Sequence, residues 1–221
     1  MAIVFDAASS NSIINSSSTS ITTAHTCTGS NLILFVSIAT FDVATGTPVS
    51  GITYAGVAMT KIAEVTPQVD DVKTSLWYLI APATGANNIV ASFSAQTYIW
   101  TAAASYTGAL QSGVPDASSS GVGTGTSISG TVTTIADNCW TVMDAYALEA
   151  GHTNGAGTTI RATSPTNGRV SIADSNAAKT PAGSVTLAVN CTSGALGHVI
   201  ASFAPALASA THRGFFGFMG M

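Results

Sequence analysis

The chain has 221 residues, of which only 7% are charged, and a formal net charge of −4. An average soluble domain contains about 25% charged residues, so this composition is poor in the side chains that solvate long helices and favours short strands and tight turns. The six Lys and Arg residues are scattered, which argues against the clustered cations of a surface that binds nucleic-acid phosphates. We therefore expect no direct nucleic-acid partner.

The apolar segments are too short to cross a bilayer as helices. The longest of them, residues 32–39, is interrupted by Ser37, whereas a membrane-spanning helix needs about 20 apolar residues. Residues 1–6 contain no basic side chain and only a short apolar run, so we expect no secretory signal peptide. We accordingly predict synthesis in a reducing cytoplasm and no membrane partner.

Short apolar runs separated by turn residues predict an all-β chain with about thirteen strands and no long helix. Two polar segments interrupt the pattern. Residues 11–20 are rich in Ser and Asn and are predicted as a loop or loose edge, and residues 111–125, which contain Pro115, as a long loop or linker. The predicted strands are residues 3–5, 21–28, 32–41, 52–54, 57–65, 76–81, 89–93, 98–106, 126–134, 139–148, 158–162, 169–173, 185–190 and 196–203. The strands on either side of Ala55-Gly56 are predicted to form a hairpin with a two-residue turn.

The most informative stretch is residues 74–93. An unbroken apolar run at residues 76–81 is ended by Pro82, which cannot donate a ladder hydrogen bond. Turn-forming residues follow as far as Asn88, and a second apolar run begins at Ile89. This pattern predicts two antiparallel strands joined as a hairpin, the first of them buried on both faces.

The two halves of the chain resemble each other. Asn31 and Asn138 each open a strong predicted strand, each follows a Ser-Ile pair that begins eleven positions earlier, and they lie 107 positions apart (138 minus 31). Near the far end, residues 104–110 match residues 201–207, with their serines 97 positions apart (202 minus 105). Strands and turns follow in a similar order between these anchors, which predicts two similar halves.

Two arrangements of these halves agree with the sequence. The first is a single β-sandwich over residues 1–205. The second is a tandem pair of sandwiches, at residues 1–110 and 126–205, joined by the linker at residues 111–125. We favour the single sandwich, because the second half has few large aromatic residues with which to build a core of its own. In both arrangements residues 206–221 form an extended C-terminal segment.

No set of residues predicts catalysis. Glycoside hydrolysis needs two carboxyl groups about 5–9.5 Å apart, but Asp144 and Glu149 are five positions apart, which places them on opposite faces of a regular strand. The Gly-x-Ser-x-Gly motif of serine hydrolases is absent. Carboxylates at Asp42, Asp70 and Asp71 could collect a calcium ion, although a solvated turn is the simpler interpretation. We therefore predict no enzyme activity, no cofactor and no metal.

The three cysteines, Cys27, Cys139 and Cys191, form no C-x-x-C pair, so zinc binding is not indicated. We expect them to be small buried side chains on strands. Cys139 and Cys191 can form a disulfide only if their strands are neighbours. The four histidines are spread along the chain and are predicted to be solvated or structural.

Four aromatic residues, Trp77, Tyr78, Tyr98 and Trp100, would suit a sugar-binding face if they were exposed. Their positions within strongly apolar strands favour the core instead. Stacking on a sugar ring by Trp77 and Trp100 is therefore the alternative interpretation.

The C-terminal segment carries the strongest signal for an interaction. After Pro205, a stretch of Ala and Ser leads to residues 211–221, in which His212 and Arg213 precede three phenylalanines and two methionines among glycines. Such a segment is too short to bury its own aromatic side chains, which would promote aggregation if they were exposed. We predict that it docks on a neighbouring protein, and the alternative is that it folds back on its own sandwich. The anchoring side chains would be Phe215, Phe216, Phe218 and Met219.

Four strand-and-turn motifs resemble a known family. They are Phe-Asp-Ala-Ala-Ser-Ser at residues 5–10, Ile-Thr-Tyr-Ala-Gly-Val-Ala-Met-Thr-Lys at 52–61, Leu-Trp-Tyr-Leu-Ile-Ala-Pro followed by Thr-Gly at 76–85, and Val-Ile-Ala-Ser-Phe at 199–203. Together they resemble a jelly-roll-like β-sandwich module of tailed-bacteriophage virion proteins, which also occurs in some bacterial surface proteins. The resemblance spans most of residues 3–205 and lies in structural motifs, so it implies a fold more strongly than a role.

The resemblance implies a large antiparallel, jelly-roll-like β-sandwich that serves as a virion component, in the first place a capsid decoration (cement) protein that stabilises junctions between capsomers. It implies a location on the virion surface, with the major capsid protein or other virion proteins as partners. It also implies a homo-oligomer, which in phage components of this kind is often a trimer. The alternative is a carbohydrate-binding or adhesive module of a phage tail or fibre, or of a bacterial surface protein.

Overall fold

The computed structural model describes residues 1–41, 48–67, 71–149 and 151–207. All regular structure in these residues is β-strand, and the paired strands are antiparallel, which confirms the predicted large antiparallel β-sandwich. The described residues form fifteen strands: β1 (Val4–Cys27), β2 (Ile33–Phe41), β3 (Val49–Tyr54), β4 (Val57–Ala58), β5 (Thr60–Val65), β6 (Val72–Ile80), β7 (Gly85–Thr107), β8 (Ala117–Thr124), β9 (Ser127–Thr133), β10 (Trp140–Ala147), β11 (Thr153–Asn154), β12 (Thr159–Thr163), β13 (Val170–Asp174), β14 (Ser184–Asn190) and β15 (Ala195–Phe203).

The first half of the chain is organised by a long bent ribbon of two strands, β1 and β7. Their pairing extends from Val4 to Cys27 of β1, with register shifts between Ile13 and Ser20. The earlier part of β7 pairs with β3, and the later part pairs with β2. The seven strands of this half are hydrogen-bonded into one sheet, which the ribbon divides into an outer layer with the order β4-β3-β7-β1 and an inner layer with the order β5-β6-β2-β7-β1.

The second half repeats this arrangement with separate strands. Its inner sheet has the order β12-β13-β10-β15-β8, and its outer sheet has the order β11-β14-β9. By position, β8 and β9 correspond to the two parts of β1, and β14 and β15 correspond to the two parts of β7. The two similar halves predicted from the sequence are therefore confirmed.

Local details of the backbone repeat as well. Asn31 and Asn138, which precede β2 and β10, both adopt the left-handed conformation, with φ of 50° and 63°. Asn tolerates this conformation better than most residues, because its short amide can bond to the local backbone. The register shift after Lys61 in the β5–β6 pair recurs after Ile160 in the β12–β13 pair.

The serines that align the two halves make equivalent hydrogen bonds. Ser105 Oγ donates to Asp6 Oδ2 at 2.7 Å, and Ser202 Oγ donates to Asp116 Oδ1. Each aspartate lies at the start of the edge strand that pairs with the serine's own strand. The sequence match at these serines thus reflects a repeated bond between an edge strand and its neighbour.

The inner sheets of the two halves pack face to face. Their shared core is rich in aromatic residues, among them Phe35, Tyr106, Trp140 and Phe203. Each inner sheet also packs on its own outer sheet through a further core. Strands β2 and β10 are consequently buried on both faces at nearly every position, which explains their almost unbroken apolar sequences.

The hairpin predicted over residues 74–93 is wrong in its pairing. Both strands exist, as β6 and β7, but only Leu76 and Trp77 of the predicted apolar run are buried; residues 78–80 are half-buried and Ala81 is exposed. Residues 89–93 pair with β3 and β1, and β2 lies between β6 and the later part of β7. A local sequence pattern contains no information about a strand from elsewhere that inserts between two neighbours in the chain.

The shorter hairpin predicted around Ala55-Gly56 is confirmed at its turn. Both residues have positive φ, of 50° and 81°, and Tyr54 pairs with Val57. This is the backbone of a two-residue turn whose twist matches the flanking strands. The pairing stops at Ala58, because β5 joins β6 in the inner sheet instead.

Two polar segments that were predicted as loops or linkers belong to strands. Residues 11–20 belong to β1, and residues 117–124 of the predicted linker form β8, which pairs with β15. Both strands lie at sheet edges, and β8 alternates between partly buried and exposed positions. An antiparallel edge strand needs little apolar surface, so small Ser and Gly side chains are sufficient there.

Candidate docking groove and buried polar sites

A groove opens where the first and last described residues meet. It has a volume of about 450 Å³ and is lined by the buried side chains of Ile3 and Trp140, by Pro205, and by exposed residues that include Ala178. Residues from both halves of the chain therefore contribute to it. Its size falls within the range of roughly 300–1,000 Å³ typical of binding pockets.

Backbone hydrogen bonds fix the chain at this groove. The amino group of Met1 donates to the carbonyl oxygen of Ala206 at 2.8 Å, and the N–H of Ala206 donates to the carbonyl oxygen of Gly108 at 2.8 Å. Gly108 has a φ of +73°, and a Cβ at this position would lie 2.1 Å from the carbonyl oxygen of Ala2. Glycine is therefore required for the close approach of the segments that form the groove.

One rim of the groove is acidic. Asp137 is exposed and carries the one ionisable side chain among the described lining residues, and the amino group of Met1 also lies at the groove. Its Oδ1 accepts a hydrogen bond from the N–H of Ala182 at 2.7 Å, and the side chain of the adjacent Asn138 accepts one from Thr180 Oγ1 at 2.7 Å. These bonds hold the turn in place, so the carboxylate adds a fixed negative charge to a mainly apolar groove.

The predicted docking residues follow this groove in the chain. The described residues end at Leu207, which lines the groove and is 83% exposed. Phe215, Phe216, Phe218 and Met219 lie outside the described residues. Their role in docking stays a prediction.

The residues considered for sugar stacking lie in the core. Trp77 is 6% exposed and Trp100 is 2% exposed. The indole N–H of Trp100 donates to the carbonyl oxygen of Thr166 at 2.9 Å, and the guanidinium of Arg169 lies 5.1 Å from its ring centre. Burial to this degree contradicts sugar stacking by Trp77 and Trp100, and it agrees with the prediction that they belong to the core.

A larger concavity of about 520 Å³ lies on the outer layer of the first half, between β1, β3 and β7. Its lining residues are small or neutral and include Thr53, Asn87 and Asn88. No aromatic or ionisable side chain is among them, so the surface offers only hydroxyl and amide groups. The acidic, partly aromatic groove beside Trp140 has the more specific chemistry.

Asp144 is a carboxyl group buried between the two halves. The hydroxyl of Ser37 donates a short hydrogen bond to its Oδ1, and Thr74 Oγ1 donates to its Oδ2 at 2.8 Å. Burial raises the pKa of Asp144 to about 7, although both hydrogen bonds act in the opposite direction. Glu149 lies at an exposed bend after β10, whereas Asp144 is fully buried.

A second buried carboxyl group, Asp174, forms an ion pair within the second half and a hydrogen bond to the first half. Arg161 Nε donates to Asp174 Oδ2 at 2.6 Å, and the Tyr106 hydroxyl donates to the same oxygen at 2.8 Å. The guanidinium of Arg161 also lies 4.3 Å from the ring centre of Phe5. Tyr106 and Phe5 belong to the first half and the ion pair to the second, so this cluster ties the inner sheets together.

His25 lies in a chain of hydrogen bonds at the open side of the first half. Because Ser105 donates its one hydroxyl hydrogen to Asp6, Ser105 Oγ accepts a hydrogen bond from the Nε2–H of His25 (3.0 Å). Nδ1 of His25 then accepts a hydrogen bond from Ser9 Oγ (2.9 Å). A serine hydroxyl that is hydrogen-bonded to an imidazole nitrogen has the geometry in which the serine can act as a nucleophile and the imidazole as its base. However, burial lowers the pKa of His25 to about 4, despite the opposing charge of Asp6, which makes the imidazole a weak base at neutral pH. The chain is therefore structural.

All three cysteines are free and buried, which confirms the prediction of burial and leaves Cys139 and Cys191 unpaired. Burial raises the pKa of each thiol, to about 12 for Cys139, so the thiols stay protonated. Among the residues that the structure describes, no three His, Cys, Asp or Glu side chains form a group that could hold a metal ion. Asp42 and Asp70 lie outside those residues.

The sequence prediction missed the polar contacts between the halves. The available signal is a single polar residue within an apolar run, as at Ser37 and Asp144. Because these two positions are equivalent under the repeat, alignment of the halves could have paired them. No such signal marks Arg161, which sits at a strand irregularity.

Within the described part of the chain, no helix is long and apolar enough to span a membrane.

Comparison of the chain with protein-family models, with curated proteins and with solved structures gave no match.

Proposed function

We propose that the protein is a non-enzymatic structural protein of a virion, a capsid decoration protein that binds over junctions between capsomers. The observation that carries this proposal is the burial of three ionisable side chains inside the fold. Asp144, Asp174 and His25 are at most 3% exposed, and each is hydrogen-bonded within the fold. Side chains in such surroundings stabilise a fold and have no access to a substrate.

The layered packing supports a mechanical role. The central strands are buried on both faces, and polar contacts at Asp144 and Asp174 join the inner sheets of the two halves. Interiors packed in this way have low compressibility and transmit strain. A block of this kind that spans a junction would resist separation of the subunits beneath it.

The neutral surface supports a role in protein binding. Only 7% of the residues are charged, and Ser, Thr, Gly and Ala are abundant. Burial of a charged group against another protein costs free energy unless the charge is paired. A surface with few charges avoids this cost over the roughly 1,000 Å² or more that a stable interface requires.

The test is the copy number of the protein on purified particles from cells infected with the virus that encodes it. A decoration protein is expected at a copy number proportional to the number of capsomers, and particles that lack it should open at lower temperature. Absence from the particles would overturn the proposal. A few copies per particle would instead indicate a tail or fibre component. The carbohydrate-binding alternative relied on Trp77 and Trp100, both in the core, and no other observation favours it.

A further inference from the structure

We propose that the groove beside Trp140 receives the C-terminal segment of a second copy of this chain, so that two copies exchange these segments. The occupant is residues 211–221, with the phenylalanines of this segment in the apolar part of the groove. This inference concerns self-assembly and stands apart from the proposed capsid role, because it requires no other virion protein.

The groove and the segment match in polarity. The groove is lined by Trp140 and Ile3, which are 8% and 5% exposed, together with Pro205 and Ala206. The segment offers three phenylalanines and two methionines separated by glycines. Aromatic side chains that enter a preformed apolar pocket are the usual energetic centre of a protein interface. Glycines between them allow the backbone to approach the groove closely.

The groove and the C-terminal segment also carry opposite charges. Asp137 is the ionisable side chain on the rim, while the amino group of Met1 is occupied by its hydrogen bond to Ala206. His212 and Arg213 lie just before the aromatic residues of the segment. A cation placed before the anchors can therefore pair with the carboxylate as the anchors enter. Such rim pairs set orientation and association rate more than affinity.

The connection to the groove favours a second copy over the same copy. Hydrogen bonds to Met1 and Gly108 fix Ala206, and the exposed Leu207 follows at the groove itself. A segment that starts at the groove must reverse direction before its own phenylalanines can enter. Residues 208–213 are Ala-Ser-Ala-Thr-His-Arg. Of the residues that most often form tight reversals, only Ser209 occurs in this segment before Gly214, which adjoins the first anchor, Phe215.

Disulfide trapping tests the exchange directly. The three native cysteines are buried, so single cysteines can be placed at the exposed groove residue Ala178 and at the non-anchoring end of the segment, as Ala178→Cys and Met221→Cys. Mixing the two single variants under oxidising conditions should give a covalent pair that contains one chain of each. Val57→Cys, at an exposed position on β4, is the matched control and should not couple to Met221→Cys. No coupling in the mixture would overturn the proposal. A variant that carries both substitutions and forms only a disulfide within one chain would overturn it as well.

A charge exchange gives a second, independent readout on the full chain without particles. Asp137→Arg and Arg213→Asp should each weaken self-association, measured by sedimentation, and the double variant should recover most of it.

Replacement of Phe215, Phe216 and Phe218 by Ser should raise the dissociation constant by at least ~30-fold, the effect of losing one strong anchor. Unchanged association in these variants would contradict the exchange. A capsid-binding defect with normal self-association would concern only the capsid role.

Discussion

The hydroxyl of Ser37 donates a hydrogen bond to the carboxyl group of Asp144, and the two residues occupy the same position in the two halves of the chain. They lie 107 positions apart, the same separation as the asparagines that open β2 and β10. A contact between equivalent residues lies close to an axis of approximate two-fold symmetry. The ring centres of Tyr106 and Phe203, also equivalent, are 5.2 Å apart. A buried carboxyl group therefore lies near the centre of a pseudo-symmetric interface.

The first prediction concerns the pH dependence that Asp144 imposes on stability. Its pKa is raised from 3.8 to about 7 in the fold, so its contribution is fully present below pH ~4 and is lost as the pH rises through ~7. Asp144→Asn keeps the size of the side chain and removes the titration. The variant should therefore gain stability relative to the wild type between pH 4 and 8, by an amount on the order of a few kcal/mol.

The measurement is urea unfolding of both proteins across this pH range, with the difference between them as the readout. Glu149→Gln removes an exposed carboxyl group and serves as the control for loss of charge alone. If the Asp144→Asn and wild-type curves run parallel from pH 4 to 8, the carboxyl group is ionised in the fold without penalty, and the prediction is wrong.

The second prediction has the opposite sign and concerns His25. Burial lowers its pKa from 6.5 to about 4, so stability from this group is present above pH ~6.5 and is lost as the pH falls toward ~4. His25→Gln keeps a donor and an acceptor for Ser105 and Ser9 but does not titrate. Relative to the wild type, the variant should become more stable as the pH falls through this window, by roughly 2–3 kcal/mol. A difference that does not change with pH between 4 and 7 would show that the imidazole titrates normally.

The elements that the sequence predicted well are those governed by local chemistry. The strands that begin after Asn31 and Asn138, the Ala55-Gly56 turn and the apolar inner strands all depend on residues adjacent in the chain. The repeat was visible for the same reason, since equivalent turns need equivalent residues.

The elements that were missed depend on distant parts of the chain. The Ser-rich and Asn-rich strand β1 is held by pairing with β7, and β2 inserts between β6 and β7 although neither local pattern requires it. The groove was not predictable either, because Ile3, Trp140 and Pro205 meet only after the two halves pack. What the sequence did indicate was the segment that we propose to enter it.

The third prediction concerns the ion pair between Arg161 and Asp174. The carboxyl group is fully buried and the guanidinium is 14% exposed, so Arg161→Met would leave a buried charge without its cation. Loss of one partner of a buried pair typically costs about 3–5 kcal/mol, which corresponds to a fall in melting temperature of about 10 °C for a chain of this size. The double variant Arg161→Met with Asp174→Asn should recover part of that loss. The measurement is thermal unfolding of the wild type and the two variants. Equal melting temperatures for Arg161→Met and the wild type would contradict a stabilising role for the ion pair.

The last prediction concerns Gly108, which brings Ala2 and Ala206 together at the groove. Gly108→Ala would place a Cβ 2.1 Å from the carbonyl oxygen of Ala2, at a φ of +73°, so both steric overlap and backbone strain oppose it. We expect a loss of at least about 2 kcal/mol, larger than the strain of about 1–2 kcal/mol that a left-handed alanine costs alone.

Two matched substitutions separate the causes. Gly113→Ala has a φ of +65° but open space around its Cβ, and Gly123→Ala has open space without a left-handed φ. The expected order of destabilisation in urea unfolding is Gly108→Ala, then Gly113→Ala, with Gly123→Ala close to the wild type. Gly108→Ala should also speed hydrogen exchange at the Ala206 amide, because the displaced backbone weakens its bond to Gly108. Equal effects of the first two substitutions would mean that strain alone matters and that the groove does not depend on this close approach.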